Sequence, residues 1–213
     1  MQLSQNFGVF KPEVEGIHPD TILRIHGYKD PNKVKPVIRD AAQAMLAEGL
    51  SLFDPVIYFR KIKIKSLTES HLEVQADDIT FDNPEFGDTL AGCSDIVVFL
   101  LTLGYQPDHR STELQAKDDL LEAVFLETAC WLGIERATRC FVEKIRSITN
   151  SNDCRITRRL APGYKDWVLT DQRKIFALFD GKDIGIELLE GDCMKPKMSR
   201  SGMYGIAPNL RPN

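Results

Sequence analysis

A short segment near residue 160 combines a guanidinium group with a tight turn. Its sequence is Arg159-Leu160-Ala161-Pro162-Gly163-Tyr164. Pro162 fixes φ near the value needed at the second position of a β-turn, and Gly163 can adopt the positive φ that a type II turn requires next. Such a turn exposes backbone N–H and C=O groups beside Arg159, whose guanidinium can bind a carboxylate through two hydrogen bonds. The segment predicts a recognition site for an amino-acid-like ligand; the simpler interpretation is a surface turn with an exposed arginine.

Other common kinds of site have no signature in this sequence. No phosphate-binding GxxxxGK[ST] loop, GxGxxG after a strand, GxSxG elbow or HExxH zinc motif occurs. The four histidines have no metal-ligand spacing, and the five cysteines include no CxxC pair. We therefore predict no catalytic residue and no metal site, with the cysteines as reduced thiols.

The composition narrows the class of protein. The chain has 213 residues, of which 43% are hydrophobic, enough for a sizeable core in one domain or at most two small ones. A net charge of -4 argues against a nucleic-acid partner, which would require a basic surface. The longest apolar run, residues 96–103, is too short to cross a bilayer, and the N-terminus does not read as a signal peptide. These features predict a cytoplasmic protein without a membrane partner.

Two segments place apolar residues at helical spacing. The pattern predicts one helix over residues 32–49, ended by Gly49, and the longest over residues 118–148. Glu127 falls within the apolar stripe of the long helix, so its carboxylate should be paired, protonated or facing a cavity, unless it reaches solvent at the edge of the stripe. Shorter helical segments are predicted at residues 20–27, 86–90 and 170–181.

Alternating patterns and apolar runs predict the strands. Residues 96–101 are apolar throughout, so we expect a strand buried on both faces. The order of helices and strands fits neither repeated βαβ units nor an all-β sandwich, and favours an α+β fold around a mostly antiparallel sheet. We predict a single domain over residues 1–213, irregular at 1–18 and 207–213. The predicted strands are residues 56–65, 71–74, 79–81, 96–101, 155–160, 184–189 and 198–206.

Several stretches, taken in chain order, resemble one family. The Arg-x-Ala-Pro-Gly-Tyr turn at 159–164 is the most specific of them, and Ser199-Arg200-Ser201-Gly202-Met203-Tyr204 resembles a Ser-x-Ser-Gly-x-Tyr motif. The family is the activation (reactivation) domain of cobalamin-dependent methionine synthase, in its free-standing form. The other stretches similar to it are residues 22–28, residues 90–93 followed by 101–104, and the long helix from Asp118.

The resemblance implies a fold and a ligand. The family domain is a twisted, mostly antiparallel sheet flanked by helices, and it binds S-adenosylmethionine in a shallow groove at the sheet edge. Carried over by motif, Arg159 would hold the ligand carboxylate and the backbone at Ala161 would meet the ligand's polar groups. Gly163 would keep the turn open, and Tyr164 and Tyr204 would line the groove. The remaining expected ligand-binding residues are Pro162, Ser201 and Gly202.

The resemblance also implies a role and partners. The family domain docks over the cobalamin of a partner domain, where cob(II)alamin is reduced and methylated. We therefore expect a reactivation module acting in trans, as part of a cobalamin-dependent methyltransferase system such as a split methionine synthase. Its expected partners are a corrinoid-binding protein, through which alone it would meet cobalamin, and an electron-transfer protein.

The segment after Tyr164 departs from the family pattern. It reads Lys165-Asp166-Trp167-Val168-Leu169-Thr170 where methionine synthases have Pro-Ala-Cys-Pro-Glu/Asp-His. A counterpart of the aspartate near the start of the family domain is not evident, and little sequence follows Tyr204 for the aromatic pair that closes the family's groove. These departures favour an alternative hypothesis, a non-catalytic docking module for a corrinoid protein that no longer binds S-adenosylmethionine.

Overall fold

A computed structural model describes residues 7–76, 78–149 and 154–208. The first half contains strands β1 (Gly8–Phe10), β2 (Val56–Leu67), β3 (His71–Val74), β4 (Thr80–Asp82) and β5 (Asp95–Thr102), with helices α1 (Pro19–Ile25), α2 (Pro36–Leu52) and α3 (Phe86–Leu90). The second half contains helices α4 (Gln106–Ala116), α5 (Leu120–Ile148) and α6 (Gln172–Ala177), with strands β6 (Cys154–Ile156), β7 (Glu187–Leu188), β8 (Met194–Lys195) and β9 (Ser199–Pro208).

The described strands form one large antiparallel sheet and a small hairpin. The order in the large sheet is β4-β3-β2-β5-β9-β6. Strand β1 pairs with residues 57–59 of β2. Strand β3 pairs with residues 64–67 of β2 on the same edge of that strand, and β5 pairs with its opposite edge. Strands β7 and β8 pair only with each other. The predicted α+β fold, a mostly antiparallel sheet flanked by helices, is confirmed.

Strand β5 separates two hydrophobic cores, as its continuous apolar sequence predicts. Val97, Phe99 and Leu101 pack against α1, α2 and α5 on one face. Ile96, Val98 and Leu100 pack on the other face, against α3, α6 and the segment that precedes α6. Both faces of the strand must be covered along residues 96–101, because these present only apolar side chains. The sheet is thus a wall between a helical layer and a layer made largely of loop.

Several elements differ from their predicted form. Helix α1 is capped by His18, whose Nδ1 accepts a hydrogen bond from the N–H of Asp20, rather than by Asp20 or Thr21. Helix α4 was not predicted, because few of its residues are apolar and only Pro107 and Leu114 are buried. Strand β1 and the end of β9 lie in regions expected to be irregular. The other residues of those two terminal regions include 1–6 and 209–213, which lie outside the described residues.

The departure of the chain from the edge strand β6 creates the place for the site. The predicted strand at 155–160 pairs continuously only as far as Ile156. Beyond it the chain touches β9 again at Leu160, which forms an isolated bridge with Met203. Residues 161–167 then turn away from the sheet, so no further strand covers the edge of β9 at Ser199 to Ser201 among the residues that the structure describes.

Candidate ligand-binding site

The turn after Leu160 has the predicted type II geometry. The N–H of Tyr164 donates a hydrogen bond to the carbonyl oxygen of Ala161 at 3.3 Å, with Pro162 and Gly163 at the central positions. Gly163 has φ of 81°, the value that the third residue of a type II turn adopts. The Ala161 N–H donates no hydrogen bond to any other described residue. The turn therefore contains a backbone donor that no described residue uses.

The segment that follows the turn anchors it in the core. The N–H of Gly163 donates to the carbonyl oxygen of Trp167 at 2.8 Å, which closes the loop on itself. The Trp167 ring is 1% exposed and lies edge-on to Phe81 and Phe86, with centroid distances of 5.7 and 5.0 Å. Its indole N–H donates to Asp171 Oδ2 at 2.8 Å. The residues at which the sequence leaves the family pattern thus supply the foundation of the turn.

Leu160 and Gly202 hold the turn against the sheet. Leu160 and Met203 exchange two backbone hydrogen bonds, of 3.0 and 2.8 Å. Gly202 has φ of 152°, which side chains disfavour, and a Cβ atom at this position would lie 2.7 Å from the Leu160 carbonyl oxygen. The close approach of β9 to the segment at Leu160 therefore requires glycine at 202.

Arg159 is positioned from two sides. One guanidinium N–H group, on Nη1, donates to the carbonyl oxygen of Ser201 at 2.9 Å. The guanidinium carbon lies 4.8 Å from the centroid of the Tyr164 ring, a cation–π arrangement. A guanidinium carries five N–H donors, so these contacts orient the group and leave donors for a ligand.

A cavity of about 580 Å³ opens between this turn and helix α5. Its volume falls within the range of small-molecule sites. Six of the eight predicted ligand-binding residues line it, namely Arg159, Ala161, Pro162, Gly163, Tyr164 and Ser201. Residues that the sequence did not single out complete the wall, including Trp131, Ile134, Leu169, Gln172, Lys197 and Arg200.

Gly202 and Tyr204 do not line this cavity. Gly202 lies beneath the turn, where an added Cβ atom would meet Leu160 and Arg159. Side chains alternate across a strand, so Tyr204 points to the helical side of the sheet, where it stacks on Phe99 at 5.5 Å and is 4% exposed. Burial raises the pKa of its phenol above the ordinary value. The structure therefore places Tyr204 in the helical core and not in the groove where the resemblance put it.

The cations and carboxylates around the cavity are paired, with one exception. Arg200 donates to Glu135 and, at 3.0 Å, to Thr138 Oγ1. Lys197 Nζ lies 2.6 Å from Glu127 Oε1, and Asp192 is paired with Arg173. Arg159 is the lining cation that has no carboxylate partner within the described residues. The cavity therefore offers a net positive group at the position predicted to bind a carboxylate.

The buried polar groups of the inner wall fix its shape. The Ser201 hydroxyl donates to Gln172 Oε1 at 2.7 Å, and both side chains are buried. The Ser199 hydroxyl, also on the lining, has no hydrogen-bond partner among the described residues. A buried hydroxyl without a partner is uncommon, because it retains the cost of leaving water.

A comparison with solved structures identifies the fold. The crystal structure of the MetH reactivation domain bound to AdoHcy superposes with a TM-score of 0.62 at 16% sequence identity, over 98% of this chain and 80% of that one. This chain has the fold of the MetH reactivation domain. Comparisons with protein-family models and with curated proteins give no match. The likeness to the MetH domain is thus carried by structure.

The MetH-type fold of this chain contains a second cavity beside the first. It has a volume of about 280 Å³ and lies between α4 and α5, with Lys197 and Met198 shared between the two. Glu127 lines it and is paired with Lys197, while the Ser111 hydroxyl donates to the same carboxylate oxygen at 3.3 Å. Of the states expected for this carboxylate, the structure shows a paired one, half-buried at a cavity wall.

Within the part of this chain that the structure describes, no three His, Cys, Asp or Glu side chains are grouped to hold a metal ion. None of its described helices is both long and apolar enough to cross a membrane.

Two of the lining residues that the sequence did not single out, Trp131 and Ile134, come from the long helix. Trp131 belongs to the apolar stripe by which the sequence predicts the long helix, yet it is 49% exposed at the cavity. The signal that could have found it lies in its neighbours at helical spacing: Glu127 and Glu135, four residues away on either side, are charged. Carboxylates one turn before and one turn after Trp131 indicate that this part of the helix meets polar surroundings and not only the core.

Proposed function

We propose that this chain is an S-adenosylmethionine-binding reactivation module that acts in trans on a corrinoid methyltransferase. The observation that carries the proposal is the cavity at the sheet edge, where the type II turn and an unpaired arginine lie on a fold whose solved MetH example holds AdoHcy. A split methionine synthase is the partner system that the sequence resemblance favours.

The cavity fits an S-adenosyl amino acid in size and charge. Arg159 offers charge-assisted donors for a carboxylate, and the Ala161 N–H is a further donor at the turn. Tyr164 and Leu169 present apolar surface for the rest of the ligand and are exposed within a volume of about 580 Å³. A few polar groups, here Arg159 and the Ala161 N–H, together with apolar walls are the usual composition of a small-molecule site.

The chemistry requires positioning from this chain and little else. The donor is a sulfonium, whose thioether leaving group needs no proton, and the cobalamin held by the partner would supply the nucleophile. The residues of this chain would therefore bind and orient the methyl donor, an effect of proximity. This role is compatible with a site that carries no acid, base or nucleophile recognisable in the sequence.

Titration calorimetry with S-adenosylmethionine and S-adenosylhomocysteine tests the ligand. We expect both to bind, and Arg159→Ala to weaken binding by about 1.5–3 kcal/mol, the contribution of hydrogen bonds to a charged group. Arg158→Ala is the matched control, because the neighbouring guanidinium pairs with Glu85 and Thr89 and does not line the main cavity. Absence of binding at millimolar ligand would refute this function.

Binding to the partner is tested separately. A purified corrinoid-binding protein, in each cobalamin oxidation state, should be retained by the immobilised chain, and reductive methylation should depend on S-adenosylmethionine and an electron-transfer protein. If the chain retains no corrinoid carrier, the trans-acting role is excluded even where the small ligand binds.

A second candidate is a docking module that has lost the small ligand. The observation that favours it is the exposed apolar surface beside the cavity, where Val168 and Leu169 project from the segment that departs from the family pattern. A partner would cover such side chains. Capture of a corrinoid protein that is unaffected by S-adenosylmethionine, together with no calorimetric signal for the small ligand, would favour this candidate.

A further inference from the structure

One face of helix α5 is turned toward the segment that runs into β9. Glu127, Glu135 and Thr138 lie on this face at helical spacing, and each has a partner across the gap. Glu127 is paired with Lys197, and Arg200 contacts both Glu135 and Thr138. Trp131 lies between these pairs on the same face, because it is four residues from each glutamate.

Trp131 differs from the other large aromatic residues near the site in having no partner. It lines the cavity with 49% of its surface exposed, and no ring, cation or hydrogen-bonding group of the described residues contacts its indole. The Tyr164 ring makes a cation–π contact with the Arg159 guanidinium, and Trp167 is buried among aromatic rings. The Trp131 indole is thus a flat aromatic surface left open in the cavity, between two ion pairs, Glu127 with Lys197 and Glu135 with Arg200.

We propose that Trp131 is the stacking surface for the purine of the bound ligand and determines the selectivity of the cavity for nucleoside-bearing amino acids. This inference rests on the function proposed above. Aromatic side chains stack on purines through their faces, and tryptophan offers the largest face. The guanidinium of Arg159 and the indole of Trp131 would then recognise opposite ends of one molecule, a carboxylate and a base.

A purine fits this wall of the cavity better than a plain aliphatic amino acid does. The charges of Lys197 and Arg200 are already paired, so neither draws a second anionic group to this wall. A small amino acid bound at Arg159 would leave the indole in water, whereas a stacked base would cover it. The volume of about 580 Å³ leaves room for a ligand with two separate anchor points.

The experiment uses the full chain and two substitutions of the same residue. Trp131→Phe keeps an aromatic face, and Trp131→Leu keeps apolar volume without one. Val124→Ala is the control, because this side chain is exposed on the same helix and does not line the cavity. The probes are S-adenosylhomocysteine and adenosine, which lacks the carboxylate, followed by calorimetry and by tryptophan fluorescence.

We expect Trp131→Leu to weaken both probes by about 5- to 150-fold, the range measured for the loss of one base–aromatic stack. Trp131→Phe should lose less, and Val124→Ala nothing. Arg159→Ala should weaken S-adenosylhomocysteine and leave adenosine unchanged, because adenosine has no carboxylate to lose. Ligand should change the fluorescence of the wild type and not of Trp131→Phe, whose one remaining tryptophan is the buried Trp167.

The outcomes separate this inference from the function on which it rests. If the wild type binds S-adenosylhomocysteine and Trp131→Leu binds it within twofold, the stacking role is refuted while the proposed function stands. The stacking role is also refuted if Trp131→Leu loses only the corrinoid partner, since the indole would then face the partner. If the wild type binds neither probe, both proposals fall.

Discussion

Replacing Gly202 by alanine would place a methyl group against the backbone that carries the turn. The added Cβ would lie 2.7 Å from the Leu160 carbonyl oxygen and 3.1 Å from Arg159 Cγ. The first contact is with backbone, which cannot rotate away as a flexible side chain can. Relief requires β9 and the 159–160 segment to separate.

The cost follows from what that separation breaks. Leu160 and Met203 exchange two backbone hydrogen bonds, each contributing about 0.5–1.5 kcal/mol net. A side chain at the φ of 152° adds strain of about 1–3 kcal/mol if the bonds are kept. Both routes cost about 1–3 kcal/mol, so we expect Gly202→Ala to lower the free energy of unfolding by about that amount, and to weaken ligand binding because Arg159 is displaced with the backbone.

Urea unfolding of the variant and of Gly27→Ala measures this effect. Gly27 has φ of 88° with no atom within 4 Å of its added Cβ, so its variant reports the cost of positive φ without a clash. We expect Gly27→Ala to cost about 1 kcal/mol. A Gly202→Ala variant within about 0.5 kcal/mol of the wild type would refute the reasoning, because the turn would then not depend on this close approach.

Two further predictions concern buried side chains. Trp167→Phe removes the indole N–H, which donates a hydrogen bond to Asp171 at 2.8 Å. We expect this change to lower the free energy of unfolding by about 1.5–3 kcal/mol, measured by urea titration. An unchanged midpoint would show that Lys174, 2.8 Å from the same carboxylate, is enough to stabilise Asp171. Burial, with the nearby charges of Asp108 and Glu127, raises the pKa of the Cys130 thiol from 9.0 to about 12, so native Cys130 should resist alkylation at pH 8 while the exposed Cys193 reacts. The folded state holds the thiol proton of Cys130 more tightly than the unfolded state does, so its contribution to the free energy of unfolding is complete below pH 9 and is lost as the pH rises toward 12. Cys130→Ala should not show this fall in the free energy of unfolding between pH 9 and 12.

The sequence predicts those elements whose burial is simple. The continuous apolar run of β5 predicted burial on both faces, because no other arrangement hides it. The stripe of α5 predicted one long helix, found at Leu120–Ile148. Helix α4 could not be predicted in this way, since its polar residues carry no stripe and its position depends on contact with α5 and on Asp108, which accepts a hydrogen bond from the Lys197 N–H.

The site was predictable where chemistry is local and not where it depends on register. The type II turn follows from Pro162 and Gly163 alone, and the structure has it. Tyr204 was placed in the groove by the resemblance of its segment to the family's Ser-x-Ser-Gly-x-Tyr motif, but its offset of three residues from Ser201 along the strand puts it on the opposite face. Trp131 was missed because helical spacing of apolar residues does not distinguish a residue that lines a cavity from one that is buried in the core.

The position of β9 has a consequence for the order in which the molecule can be assembled. This strand lies between β5 and β6 in the sheet, yet its residues 199–208 follow β5 by almost half of the chain. During synthesis, β2 to β5 and the long helix emerge first, and one edge of the apolar β5 stays without its neighbour until the segment beyond Lys197 has been made. Pairings this distant in sequence form slowly, and an uncovered apolar strand is prone to associate with other chains. The ligand cavity, whose inner wall is the start of β9, is therefore among the last features to be completed, and a bound ligand would stabilise the pairing that folding reaches latest.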